Sequence, residues 1–352
     1  MVEKIDVEAV PEKVVEPQEK VQEEIGAGSL DAEAAPVKVQ KAKQKAYVPW
    51  YKKPWFRRKI LPWLFILPIT ILYAMVVIGP ALSAIGYSLT DWSGIGDANF
   101  IGLENFRKLI FEDANYRKAF TNNIIWMAFF LTVPFVLSLI VASLLAGIKR
   151  GAMVFRTALF VPYILPSVIV ISIWSNLLSP RTGLGAQFAK SGIGQWAEAM
   201  GMPTLNRAFL GNPDTALLSI AFVDNWHFWV FLVVLFLAAM QGISPALYDA
   251  AKVDGANWWQ EFYHVTLPGI RPTLVFMLMM VAIWSFLVFD YVWLLTQGGP
   301  AGASEVLGTF LYKEAFNRFE AGYASAVGLT ISFFAMLIMG IVIWLRRRGV
   351  EI

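Results

Sequence analysis

Six long apolar runs constrain this chain more than any other feature of its sequence. A helix needs roughly 20 apolar residues to cross a hydrocarbon core about 30 Å thick, and its backbone polar groups must be paired within the protein. The runs of sufficient length are 61–88, 122–147, 156–178, 216–240, 273–296 and 325–345. We therefore predict an all-α integral membrane protein with six transmembrane helices, occupying residues 59–348.

The composition supports a membrane protein and excludes several kinds of site. Hydrophobic residues make up 57% of the chain and charged residues only 16%, a balance atypical of soluble domains. There is no cysteine, so disulfides, thiolate metal sites and cysteine nucleophiles are excluded. His227 and His264 lie far apart in the sequence. We therefore expect no metal centre and interpret both histidines as interfacial or packing residues.

Residues 1–58 are predicted to be a disordered tail that ends in a basic anchor. The first 37 residues have no aromatic residue and no hydrophobic period, so they lack the apolar surface needed to fold. From 38 to 59 every charge is positive, and aromatic residues are interleaved. A nucleic-acid patch could look like this, but an apolar span follows directly. The pattern favours an anchor to the lipid surface, with no nucleic-acid partner.

The distribution of cations predicts the orientation. Six spans place both termini on one side, and a cytoplasmic N-terminus puts seventeen of the Lys and Arg residues from Lys38 onward inside and nine outside. Cytoplasmic loops are enriched in such residues. The predicted cytoplasmic loops are 148–155 and 241–272, and the external ones are 89–121, 179–215 and 297–324.

Prolines within the spans predict kinks. They are Pro68, Pro80, Pro134, Pro162 and Pro166. Neighbouring helices in a bundle can satisfy the backbone groups that proline leaves free, so we expect bent helices.

The loop 241–272 is predicted to form two short helices joined by a tight turn. Ser244 should cap the first helix with its hydroxyl, and Pro245 suits the first helical position. Gly255 can adopt the left-handed conformation that ends a helix. A second helix should begin at Asn257, with Gln260 completing a capping box.

The first of these helices carries short side chains on part of its surface. Ala250 and Ala251 would allow close approach of another protein, and Asp249 and Lys252 flank them. From the residues alone, a docking element and a helix pair resting on lipid headgroups both remain open.

The stretch "YDAAKVDGANWWQEFYHVTLP" (248–268) resembles the "EAA" loop of permease subunits of bacterial ABC importers. That loop has E-A-A, a glycine four residues later and a terminal L-P. The matching residues are Asp249, Ala250, Ala251, Gly255, Leu267 and Pro268. Asp249 replaces the usual glutamate, which shortens the reach of any salt bridge there.

Four further stretches resemble the carbohydrate-uptake branch of this family, the maltose, lactose and glycerol-phosphate type. They are "FIGLENFRKL" (100–109), "FRTALFVPYILP" (155–166), "WSFLVFDYVWLLTQGGP" (284–300) and "GYASAVGLT" (322–330). The resemblance implies a type I importer permease domain over 59–348, in which loop 241–272 is a coupling helix seated on an ATPase. It places Lys252 and Asp254 with the matching residues in that coupling element.

The resemblance also implies the partners and the location. The partners would be a second permease subunit, two ATPase subunits, an extracytoplasmic solute-binding protein and membrane lipid, in a bacterial or archaeal cytoplasmic (inner) membrane. The chain has no G-x-x-x-x-G-K-[ST] loop. We therefore expect a transport subunit rather than an enzyme, with ATP and Mg²⁺ bound by the ATPase and no cofactor on this chain.

Ionisable residues inside apolar spans are costly and suggest function. Asp224 and Asp290 should lie at similar depth in the outer half of the membrane. Together with nearby polar and aromatic residues they form a candidate solute cavity: Asp224, Asn225, Trp226, Trp284, Phe286, Asp290 and Tyr291. Alternatively, Asp224 caps or pairs within the bundle and the aromatic residues only pack or form an interfacial belt.

Two other classes of protein were weighed. A membrane-embedded enzyme would need clustered acids, histidines or metal ligands at a membrane face, and none is evident. A secondary carrier usually shows duplicated halves and more buried charge, and neither is visible. The solute could also be a small polar molecule other than a sugar, polyol or glycoside.

Overall fold

The computed structural model describes Tyr51, Pro54 and residues 56–148, 151–200 and 208–347. The chain divides into two units, Met1–Phe65 and Ile66–Ile352. In the first unit a π-helical turn, Phe56–Ile60, leads into a helix at Leu61. The predicted disordered tail lies almost entirely outside the described residues, as do the cationic residues 149–150.

Helices dominate the described residues, where the only β pairing is one antiparallel bridge between Thr90 and Phe100. The main helices are α1 (Arg58–Tyr87), α2 (Ala114–Gly147), α3 (Ala152–Ile164), α4 (Ser167–Leu177), α5 (Ala216–Met240), α6 (Pro245–Val253), α7 (Trp258–Glu261), α8 (Arg271–Phe286), α9 (Asp290–Thr296), α10 (Leu307–Tyr312) and α11 (Ala321–Arg347). Shorter helical segments are Glu104–Arg107, Lys108–Glu112, Leu184–Lys190, Gly192–Ala199, Phe262–Thr266, Leu267–Gly269 and Lys313–Asn317.

Five helices of the described chain are long and apolar enough to cross a membrane, and a bent pair can count as a sixth span. The five are Arg58–Tyr87, Ala114–Gly147, Ala216–Met240, Arg271–Thr296 and Ala321–Leu345. The predicted run 122–147 begins eight residues earlier in the structure, at Ala114. Asp113 caps this extension, accepting hydrogen bonds from Asn115 N (2.8 Å) and Tyr116 N (3.1 Å).

The run 156–178 differs from the prediction of a single span. It consists of two helices, α3 and α4, bent by 89°. The bend lies at Leu165–Pro166, where Leu165 adopts an extended conformation. Proline disfavours helical geometry in the residue before it and cannot donate a backbone hydrogen bond. Helices continue through Pro68 and Pro134, so neither proline ends a helix, and the bends expected there stay predictions.

A second break, within the fifth predicted span, was not expected from the sequence. Within Arg271–Thr296, residues 287–289 separate α8 from α9. Gly308 of α10 lies directly against this break: a Cβ at Gly308 would be 2.6 Å from the carbonyl oxygen of Val288. The close approach of α10 therefore depends on a glycine.

Two buried clusters form the core. The larger joins α2, α4, α5, α8 and α9, and Trp126, Phe130 and Phe236 are among its buried side chains. The smaller joins α2, α8, α10 and α11 through residues such as Phe286 and Phe310. The four helices α2, α5, α8 and α9 thus form a packed scaffold around the positions predicted to line a cavity.

Candidate functional site

Two features of the structure correspond to the predicted sites: a helical hairpin at 245–269 and a cavity among α2, α5, α8 and α9. The hairpin begins with Pro245 in the first turn of α6, as predicted. Ser244 occupies the N-cap position, but its side chain makes no cap hydrogen bond. The expected hydroxyl cap is therefore wrong, and the fixed backbone angle of Pro245 remains as the local signal for helix initiation.

The turn of the hairpin has the predicted geometry. Gly255 has φ +79°, and Ala256 N donates to the carbonyl of Ala251 (2.9 Å), which closes the end of α6. Asn257 and Gln260 form a reciprocal capping box, with hydrogen bonds of 2.8 and 3.1 Å. Since both ends of the turn are hydrogen-bonded, the two helices are held at a set angle.

The hairpin is also tied across its two arms. The hydroxyls of Tyr248 and Thr266 lie 3.0 Å apart, and Phe262 and Thr266 are buried. These contacts make the hairpin a stiff unit rather than a loose loop.

The predicted coupling residues lie mostly on the hairpin surface. Exposed residues are Asp249, Ala250, Lys252, Asp254, Gly255 and Pro268, and Ala251 and Leu267 are half-buried. Asp249 and Lys252 also line a cavity of about 480 Å³ beneath the hairpin, together with Arg156 and Glu261. The two charged residues therefore border both this cavity and the surface formed by Ala250 and Ala251.

The hairpin also exposes large apolar side chains that the sequence did not predict as part of the site. Val253 is 87% exposed, and Trp259 and Tyr263 are 61% and 66% exposed. A rigid hairpin that exposes large apolar side chains is suited to contact with another surface. Short helices outside the membrane give no sequence signal for which apolar side chains stay exposed, because that depends on tertiary packing.

The second feature is a cavity of about 200 Å³. Its lining residues are Trp126, Phe130, Asp224, Phe228, Val281, Trp284, Ser285, Leu287, Val288, Phe289, Asp290 and Tyr291. Four of the seven predicted cavity residues are therefore brought together: Asp224, Trp284, Asp290 and Tyr291. The break at 287–289 forms part of the wall, so irregular backbone borders the cavity, as expected where backbone leaves the helical pattern at membrane depth.

The other three predicted residues do not line this cavity. Asn225 is buried, and its Oδ1 has no hydrogen-bond partner among the described residues. Trp226 packs edge-on against Trp174 at 5.7 Å. Phe286 is 2% exposed and stacks on Phe334. Neighbouring helix positions point about 100° apart, so adjacency in sequence did not imply a shared surface.

His227, interpreted from sequence as a packing residue, joins two helix breaks beside the cavity. Its Nε2 lies 3.2 Å from the carbonyl oxygen of Tyr163 and 3.0 Å from that of Leu165. Both carbonyls lie at the bend between α3 and α4, so Nε2 carries the proton and donates to them. Nδ1 then accepts a hydrogen bond from the hydroxyl of Tyr291, 3.0 Å away. A polar residue inside an apolar span was the available signal.

We expect the His227→Phe variant to unfold more readily, because two carbonyls and the Tyr291 hydroxyl would lose their partner. Each unsatisfied buried group costs about 1–3 kcal/mol. Tyr291→Phe should cost less, and the double variant should show a coupling energy of about 1 kcal/mol. Thermal unfolding of the four proteins in detergent measures this cycle.

His264→Phe is the matched control, since His264 is exposed and contacts only the nearby carbonyl of Gln260 at 3.0 Å. The His264→Phe variant should leave the midpoint of thermal unfolding unchanged. Strict additivity of His227→Phe and Tyr291→Phe would show that their hydrogen bond contributes nothing to stability.

A bundle of apolar helices, an internal cavity and a stiff polar hairpin together define a polytopic membrane protein. The family model described as "Binding-protein-dependent transport system inner membrane component" matches residues 135–349. The chain belongs to this family. It is an inner-membrane permease subunit of an ABC importer, and a transport subunit rather than an enzyme.

Relatives of known description agree with this assignment. The chain is 34% identical to "Probable ABC transporter permease protein YurN" of Bacillus subtilis, covering 78% of this chain and 92% of that protein. It is 31% identical to "Diacetylchitobiose uptake system permease protein NgcF" of Streptomyces coelicolor, covering 78% and 79% respectively. A chain of the bacterial alginate ABC transporter, solved with an alginate-bound periplasmic protein, superposes with a TM-score of 0.71 at 23% identity. That match covers 85% of this chain and 98% of the other, and it shows the type I permease fold.

Proposed function

We propose that this permease subunit carries a sugar or related polyol or glycoside through the cavity beside α5 and α9. The observation that supports this is the lining itself, in which Asp224 and Asp290 stand among tryptophan, tyrosine and phenylalanine side chains. Carboxylates accept hydrogen bonds from sugar hydroxyls, and aromatic faces cover the apolar C–H side of a sugar ring. The name of the Streptomyces coelicolor relative, a diacetylchitobiose uptake permease, supports a saccharide.

The hairpin is proposed to be the coupling element. Its coupling residues are Asp249, Ala250, Ala251, Lys252, Asp254, Gly255, Leu267 and Pro268. Two ATPase subunits would bind ATP and Mg²⁺ and drive the bundle between inward-facing and outward-facing states through this stiff lever. No cofactor is assigned to this chain.

The proposed assembly adds a second permease subunit and an extracytoplasmic solute-binding protein, with both termini of this chain in the cytoplasm. None of the most apolar stretch of α1 is buried within the described chain. This exposure supports a contact between α1 and an apolar surface outside this chain. Membrane lipid and the second permease are the proposed contacts of α1.

Substituting the two acids tests the cavity. In proteoliposomes containing the complete importer, we expect Asp224→Asn and Asp290→Asn to reduce uptake of a transported saccharide about tenfold or more. The reason is that a hydrogen bond to a charged group contributes about 1.5–3 kcal/mol. Labelled N,N′-diacetylchitobiose and maltotriose are suitable probes.

Asp97→Asn is the control, because Asp97 is exposed in the loop 88–100, outside the cavity lining. It should leave uptake unchanged. Unchanged uptake affinity and rate in both cavity variants would remove the cavity assignment. Failure of the wild-type importer to take up any saccharide would contradict the carbohydrate assignment.

A further inference from the structure

The residues that line the cavity carry charge of one sign. Asp224 and Asp290 are the only ionisable carboxyl groups in the lining, and it includes no lysine, arginine or histidine. Asp290 is exposed and Asp224 is half-buried, and both side chains belong to the cavity lining. The described part of this chain supplies no cation at the cavity wall to neutralise them.

The aromatic residues of the lining also disfavour anionic solutes. Six of the lining residues are aromatic: Trp126, Phe130, Phe228, Trp284, Phe289 and Tyr291. The face of an aromatic ring carries the negative part of its quadrupole and attracts cations. Such faces favour apolar C–H groups and ammonium groups over carboxylate or phosphate groups.

The nearest histidine does not offset this charge. His227 does not line the cavity. Its Nε2 is engaged by the carbonyls of Tyr163 and Leu165, and its Nδ1 by Tyr291. Because both ring nitrogens are bound to protein groups, neither is available as a donor to an anionic solute.

We infer that the cavity accepts neutral or amino-bearing carbohydrates and rejects acidic ones, such as uronic acids and phosphorylated sugars. This inference rests on the proposed function and narrows its substrate class. Like charges within a few ångströms of each other at an intermediate effective dielectric repel strongly enough to discriminate about tenfold or more. The two carboxylates are thus a filter against anions as well as acceptors for hydroxyl groups.

The test is equilibrium binding to the purified complete importer in detergent, without the solute-binding protein, at pH 8. Trp126 and Trp284 line the cavity, so quenching of tryptophan fluorescence gives a local readout. The probes are three disaccharides of similar size: chitobiose with two amines, N,N′-diacetylchitobiose without charge, and digalacturonate with two carboxylates. We expect the first two to bind at least about tenfold more tightly than digalacturonate.

In the double variant Asp224→Asn and Asp290→Asn, the preference for N,N′-diacetylchitobiose over digalacturonate, expressed as the ratio of their dissociation constants, should fall about tenfold. Asp97→Asn should leave this ratio unchanged. The comparison of the three probes on the wild-type importer tests the inference even if the double variant fails to fold. Equal or tighter binding of digalacturonate overturns the anion filter and leaves the proposed function standing. Absence of binding by all three disaccharides overturns the carbohydrate assignment, and this inference with it.

Discussion

The Gly255→Asp variant is expected to lose the proposed ATPase partner. Pull-down of tagged wild-type protein from mild detergent should recover a second permease subunit and an ATPase subunit. The variant should recover the second permease but little or none of the ATPase. Uptake by the reconstituted importer should fall accordingly, by a factor of about ten or more, since about 1.4 kcal/mol of lost docking energy corresponds to tenfold weaker binding.

The physical reason lies in the surroundings of Gly255. Its φ of +79° lies in the region that side chains disfavour, and a Cβ there would meet no atom of this chain within 4 Å. A side chain would therefore clash with nothing in the subunit itself. The added carboxylate would project from the tip of the hairpin, where the proposed partner approaches.

Gly96→Asp is a closely matched control. Gly96 has φ +80°, and a Cβ there also has no neighbour within 4 Å, but it lies in the loop 88–100, on the opposite side of the membrane in the predicted orientation. Both variants introduce the same backbone strain, about 1–2 kcal/mol. If Gly96→Asp lost the ATPase as well, the effect would reflect destabilisation; if Gly255→Asp retained it, the hairpin would not be the docking element.

The Asn123→Ala variant is expected to be strongly destabilised. Asn123 is fully buried. Its side-chain amide donates to the carbonyl of Ser285 (2.7 Å), and its Oδ1 accepts from the backbone N–H of Leu307 (2.7 Å). The first group belongs to the last turn of α8 and the second to the first turn of α10, where helices leave such groups unpaired.

Alanine would leave both of these buried backbone groups without a partner, at a cost of about 2–6 kcal/mol in the free energy of unfolding. Thermal unfolding in detergent should show a clearly lower midpoint and a smaller folded fraction. Asn176→Ala is the control, because its exposed amide binds only the carbonyl of Ser172 at 2.8 Å. Its expected change is within about 0.5 kcal/mol. Equal stability of Asn123→Ala and wild type would show that α10 is held in place without this bridge.

Much of the architecture could be predicted from local sequence. The boundaries of α5 coincide with the predicted run 216–240. The turn of the hairpin was predicted as well, because Gly255, Asn257 and Gln260 act on the backbone within a few residues of themselves. Family membership was also accessible, since it rests on motifs that are continuous in the chain.

The cavity was less predictable. Asp224 and Asp290 were identified because a carboxyl group inside an apolar span is costly wherever its side chain points. Asn225 and Phe286 were grouped with them by proximity in sequence, yet the structure places neither in the lining. Trp126 and Phe130 were not considered, because they come from α2, a helix distant in sequence.

The sequence by itself determined five of the apolar spans, the hairpin and the position of acids within the spans, since each follows from local hydrophobicity and backbone chemistry. Only the tertiary structure decided the break at 287–289, which carries no proline or glycine and lies where Gly308 meets Val288. It also decided that His227 links the bend of α3 and α4 to Tyr291. These features depend on contacts between segments far apart in the chain, and the direction of a side chain on a buried helix is set by the helices packed against it.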